Sequence, residues 1–186
     1  MSASLDGLEV RRGPLGEAVF STCAQYRYNL VRRWDQTPSL LDDPDAPKRF
    51  VLWVMLNPST ADENVLDNTL TRCKNFSHAW GYDGMIVRNA FAYRTPYPKV
   101  MMDALAAGVD VVGPRNDEWL ADRTDVGLTV VGWGALKHAR ARGERVLELL
   151  GDGVVCMGRN LDGSPRHPLY LADTTEPEPF ELAEVA

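Results

Sequence analysis

Val51-Leu52-Trp53-Val54-Met55-Leu56, running straight into Asn57-Pro58-Ser59-Thr60-Ala61-Asp62, is the stretch on which the fold turns. Six apolar residues without a polar interruption fit a strand buried on both faces, as in a parallel sheet covered by helices. The polar cluster begins where that strand must end. Two later stretches repeat the arrangement. Met85-Ile86-Val87 leads into Arg88-Asn89-Ala90-Phe91-Ala92-Tyr93-Arg94. Val154-Val155-Cys156-Met157 is followed, after a short loop, by Arg166-His167-Pro168-Leu169-Tyr170. In open α/β sheets ligands bind outside the carboxyl ends of the strands, so strand ends carrying Asn57, Asn89 and His167 point to one shared site.

Working outward, helical patterns alternate with these strands. Leu66, Leu70, Cys73, Phe76 or Ser77, and Trp80 make one apolar face of a helix expected over Asp67–Trp80, with Gly81 at its stop. Further helices are expected near Lys99–Ala107, Pro114–Arg123 and Ala135–Leu150, and a strand at Leu128–Gly132. Glu17–Cys23 and Tyr26–Trp34 read as a strand hairpin. Residues 1–16 read as a poorly ordered or loosely docked start. The pattern predicts a three-layer α/β sandwich with a mainly parallel central sheet plus the N-terminal hairpin. It forms one domain over residues 1–173, followed by an acidic Pro/Glu tail over 174–186.

Composition narrows the function. Cys23, Cys73 and Cys156 are far apart, form no CxxC pair and no metal-ligand spacing, and fit reduced thiols in a cytoplasmic protein. No stretch reaches bilayer-spanning length and no secretory signal pattern opens the chain. Net charge is -6, but Asp173, Glu176, Glu178, Glu181 and Glu184 lie in a C-terminal stretch without Lys or Arg, so the rest is nearly neutral. Arg11, Arg12, Arg27, Arg32, Arg33, Arg159 and Arg166 either form a local positive face or are scattered and solvated. Gly132-Trp133-Gly134-Ala135 is neither a dinucleotide fingerprint nor a P-loop, and no nucleophile elbow is present, so no cofactor or metal is expected.

Each polar cluster admits two readings. Pro58 forces Asn57 into an extended conformation, which either aims its amide at a ligand or water or simply turns the chain out of the sheet. Ser59 and Asp62 add polar groups, and Asp62 equally suits a helix cap. Asn89 can read a carbonyl-plus-NH edge such as that of a pyrimidine, or be a strand-end turn. Arg94 suits a phosphate or carboxylate, or a surface ion pair. His167 can stabilise a developing anion or be a structural histidine.

The order of these clusters is more specific than any one of them. MLNPSTADENVLDNTLTRC, WGYDGMIVRNAFAYR, VVGWGALK and GSPRHPLYL resemble a widespread bacterial and phage family of long-uncharacterised proteins, over most of residues 26–171. A more distant resemblance is to the uracil-DNA glycosylase superfamily. It implies that Asn57, of Asn57-Pro58, positions the attacking water and that Asn89 reads the flipped base. It further implies that Trp133-Gly134 is the short late signature, that His167 stabilises the departing base, and that Leu171 is the apolar wedge. Ser59 stands where the strict uracil enzymes carry Tyr, leaving room at C5 of a pyrimidine. Phe76, Trp80, Tyr82 and Phe91 are candidates for the ring that stacks on the base. The resemblance implies a DNA N-glycosylase acting on a modified or 5-substituted pyrimidine. The alternatives are an enzyme acting on a free modified nucleoside or nucleotide, and a non-catalytic nucleic-acid-binding module. The partner is then DNA or a modified nucleoside.

Overall fold

The computed structural model describes residues 6–34, 50–59, 66–135 and 140–181. The run that opened the sequence analysis is its central strand. Eight strands form one sheet: β1 (Leu8–Gly13), β2 (Gly16–Ser21), β3 (Arg27–Arg33), β4 (Phe50–Met55), β5 (Gly84–Asn89), β6 (Val126–Val131), β7 (Val154–Cys156) and β8 (Glu178–Pro179). Their spatial order is β1-β2-β3-β5-β4-β6-β7-β8. The helices are α1 (Asn68–Ala79), α2 (Pro98–Ala106), α3 (Asn116–Ala121) and α4 (Arg140–Leu150).

The sheet is mixed, and this corrects the mainly parallel, uracil-DNA-glycosylase-like sandwich expected from sequence. Only β5-β4-β6-β7 run parallel. The pairings β1–β2, β2–β3, β3–β5 and β7–β8 are antiparallel. The physical reason lies in β3. The hairpin that sequence placed beside the core enters the sheet itself, with Leu30 opposite Val87 and Arg33 opposite Gly84. Nor are the described residues of the opening segment loosely docked, since Leu8–Gly13 pairs along its full length with β2. At the far edge the tail contributes β8, and Phe180 is buried with its ring edge-on to Trp133.

Alternation along β4 explains both faces. Val51, Trp53 and Met55 pack with Leu70, Cys73 and Phe76 of α1, whereas Phe50, Leu52 and Val54 pack with Leu120 of α3 and Val146 and Leu150 of α4. Asp67 caps α1, its carboxylate accepting the Leu70 amide at 2.8 Å. Inside, Trp53 Nε1 donates to Ser77 Oγ (2.9 Å), which donates to Cys73 O (2.8 Å), so the buried indole leaves no unmet polar group. Among the described residues no helix is long and apolar enough to cross a membrane.

Phe180 ties the C-terminal segment to the core, with the Arg159 guanidinium over its ring at 4.7 Å. Phe180→Ala should therefore cost about 3 kcal/mol, read as a lowered denaturation midpoint. An unchanged midpoint would show that β8 adds nothing to the core.

Candidate functional site

β4, β5 and β6 are parallel, so their carboxyl ends open on one edge of the sheet. The chain leaves β4 for α1 on one face and β6 for α4 on the other, which makes a crevice at that edge. A cleft of about 470 Å³ occupies it, and Asn57, Asn89 and His167 all line its wall. Its size suits a small organic ligand.

The strand ends are held before any ligand arrives. Ala90 N donates to Met55 O (2.8 Å), Phe91 N to Leu56 O (2.9 Å) and Gly132 N to Val54 O (2.9 Å). Buried Asn116 donates from Nδ2 to both Asn89 O (2.9 Å) and Ala90 O (3.1 Å), and Arg142 Nε donates to Ala90 O (2.6 Å).

Hydrogen bonding fixes the polarity of each side chain. Asn57 Nδ2 donates to Thr95 O (2.8 Å) and Pro58 O (3.2 Å). Carbonyls can only accept, so the amide orientation is determined and Oδ1 remains as an acceptor. Asn89, almost fully buried, has the opposite arrangement. Its Oδ1 accepts from Arg27 Nη2 at 3.3 Å, and because a guanidinium can only donate, Nδ2 is left as a donor. Arg27 itself is buried and forms part of the cleft wall.

His167 reaches the cleft from a loop anchored on the end of β6. A Cβ at Gly132 would lie 3.1 Å from the Pro168 ring, so a larger residue there would push the loop back by a few tenths of an ångström. Gly134, at φ +79°, donates its N–H to Pro165 O at 3.0 Å. His167 Nδ1 accepts from Leu169 N at 3.3 Å, at the start of a 3₁₀ turn over Pro168–Tyr170. That bond places the proton of the neutral ring on Nε2. Burial lowers the imidazole pKa below its ordinary value, opposed by the nearby charge of Asp67. The ring is thus a neutral donor at neutral pH.

Ser59 lines the same cleft, its hydroxyl donating to Asp67 Oδ2 at 2.6 Å. Other candidates fall elsewhere. Arg94 is not in the cleft wall; it donates to Ala24 O and lies over the Phe20 ring at 4.7 Å. Leu171 is packed against the α1 side of the core, its carbonyl held by Arg72, while its neighbour Tyr170 is the exposed side chain, 84% accessible. Leu171 is partly buried and follows directly on the 3₁₀ turn. Asp62 lies outside the described residues. Phe76, Trp80 and Tyr82 belong to the α1 packing cluster and Phe91 to the opposite one. The aromatic rings in the cleft wall are instead Trp133 and Tyr170.

Sequence reasoning missed Arg27, Asp67 and Trp133 as wall residues. Asp67 was legible only as the start of a helix. Arg27 reads as the outward position of a half-buried strand. Trp133 was visible within a Trp-Gly signature but was not weighed as a ring facing ligand.

The fold and site define an α/β protein with a polar cleft at the switch point of a mixed sheet. Within that class, the chain belongs to the family described as "Protein of unknown function (DUF1643)", whose model matches residues 27–169, from Arg27 of the cleft wall to just past His167. No curated protein and no solved structure matches it.

The His167 ring gives a direct test of this electrostatic picture. Nitrogen NMR should show the Nε2–H tautomer and a pKa below the usual ~6.5. In Asp67→Asn the pKa should fall further, because the charge that raises it is gone. The unfolded chain takes up a proton that the folded ring resists, so this residue's contribution to stability is present above pH ~6.5 and declines as pH falls through that value. A pKa at or above ~6.5 would reject the buried neutral ring.

Proposed function

We propose that the cleft hydrolyses the N-glycosidic bond of a modified or 5-substituted pyrimidine in DNA, in the cytoplasm. The observation that carries this reading is the fixed polarity of three side chains around one base-sized space. Asn57 offers an acceptor, Asn89 a donor, and His167 a neutral N–H. That set suits hydrolysis of this bond. The sugar develops oxocarbenium character while the base departs as an anion. His167 Nε2–H meets the developing negative charge, and because it is already neutral it does so without giving up a favoured proton. Asn57 Oδ1 accepts from the attacking water and aims it. Asn89 Nδ2 donates to a base carbonyl, held in that orientation by Arg27. Trp133 and the exposed Tyr170 are the aromatic residues that line this space. Ser59 is small and turned toward Asp67, which supports a substrate with a substituent at C5. The motif likeness of Asn57-Pro58, Asn89 and His167-Pro168 to the uracil-DNA glycosylases supports the same assignment residue by residue.

A second reading keeps the bond and changes the carrier to a free nucleoside. It is favoured by the sparse positive charge at the cleft. Arg27 is the one Lys or Arg among its described lining residues, and it is buried. Beside the His167 loop, Arg72 is engaged by Asp173 and Leu171 O, and Arg159 by Pro179 O and Glu181 O. Among the described residues of the cleft wall this leaves little to track a phosphate backbone.

Mass spectrometry of bases released from 5-hydroxymethyluracil DNA, uracil DNA and the free nucleosides separates the two carriers. Asn57→Ala and His167→Ala should each slow release by ~10²–10³, the usual loss for one transition-state donor or positioning group. Their melting curves should stay close to wild type. Undiminished release by both would reject the assignment.

A further inference from the structure

We infer that Asp67 is the general base of this site, the group that takes the proton from the attacking water. The inference rests on the N-glycosidic reading above and deepens it. A neutral Asn57 can orient water but cannot accept its proton, so the reading lacks a base. Asp67 is the one carboxylate among the described residues lining the cleft. Its charge is felt at His167 across that space. Its two oxygens are held by different elements: Oδ1 accepts from Leu70 N at 2.8 Å and Oδ2 from Ser59 Oγ at 2.6 Å. A carboxylate offers about four lone-pair sites, and these two bonds leave acceptor capacity on both oxygens. Ser59, on the β4 exit beside Asn57, is then a positioning residue that fixes the rotamer of Asp67.

The step balances without a further reactant. The water oxygen bonds to C1′ as the bond between C1′ and the base nitrogen breaks, and that bond's electron pair leaves with the base. Asp67 takes the water proton. His167 Nε2–H hydrogen-bonds the anionic base, which is protonated after release. Asp67 returns its proton to solvent.

Asp67 is also the cap of α1, and a purely structural role must be separated from a chemical one. Asn and Ser cap helices about as well as Asp, so Asp67→Asn and Asp67→Ser keep the cap and remove the base. The experiment measures base release by the full chain from a duplex oligonucleotide carrying 5-hydroxymethyluracil, from the uracil counterpart and from the free nucleosides. Melting curves accompany each variant. A fall in kcat of ~10²–10⁴ in Asp67→Asn, with KM within a few-fold and the melt unchanged, supports the inference. If Asp67→Asn folds poorly, the same comparison on Asp67→Ser decides. Wild-type release matched by either folded variant to within a few-fold overturns the role of Asp67 and leaves the N-glycosidic reading standing. No release by wild type from any of these substrates overturns both.

Discussion

Past their last ladder residues the central strands stay joined. Ala90 and Phe91 donate back to Met55 and Leu56, and Gly132 donates to Val54. Strand ends normally diverge into solvent; here hydrogen bonds keep three of them in register for one or two residues more. Asn89 closes the β5 ladder, and Asn57 and Trp133 follow directly on these extensions, so their separations follow from sheet geometry rather than from loop conformation. The cross-tie between Thr95 and the Asn57-Pro58 turn and the double donation from Asn116 make the same seam stiffer. Rigid placement of this kind lets polar groups act on a reaction without first reorganising.

The seam has a chemical counterpart. Every polar side chain assigned a part at the cleft has one side engaged by a partner that settles the role of the other. A carbonyl pair sets Asn57, a guanidinium sets Asn89, a backbone amide sets His167, and a hydroxyl and an amide hold Asp67. The cost falls on folding, since Arg27 must leave water to do its part. A buried guanidinium is tolerable only while its hydrogen bonds are made. The site and the antiparallel half of the sheet therefore form together, because Arg27 comes from β3 and Asn89 from β5.

Much of this was legible in the chain. The unbroken apolar run at Val51–Leu56, the apolar face of α1, and the Gly stop after it gave these elements nearly to the residue. Local periodicity and local caps carry that information. Strand partnership is carried by neither. β3 has the alternation of a hairpin strand whether or not it joins the main sheet, and its pairing with β5 is visible only in three dimensions. β1 was missed because Glu9, Arg11 and Arg12 make it look like solvated chain. Asp67 marks only the start of a helix in the sequence; its place in the cleft wall depends on how α1 sits on the sheet. The partial burial of Leu171 against the α1 side of the core likewise depends on the 3₁₀ turn, which the chain does not announce.

The sheet's outermost strands carry a separate message. An uncovered β7 would offer Val154-Val155-Cys156 as a bare row of donors and acceptors to any passing strand. β8 lies along it for only two residues, one of them Pro179, which has no N–H to give, the other the charged Glu178. At the opposite margin β1 presents Arg12 and the Glu9–Arg11 ion pair. Both margins are poor templates for another chain. The strands that do this fall outside the span shared with the family, whose matched residues begin at Arg27 and stop at Leu169. The frame matched by the family model is thus flanked on both sides by strands that discourage edge-to-edge aggregation.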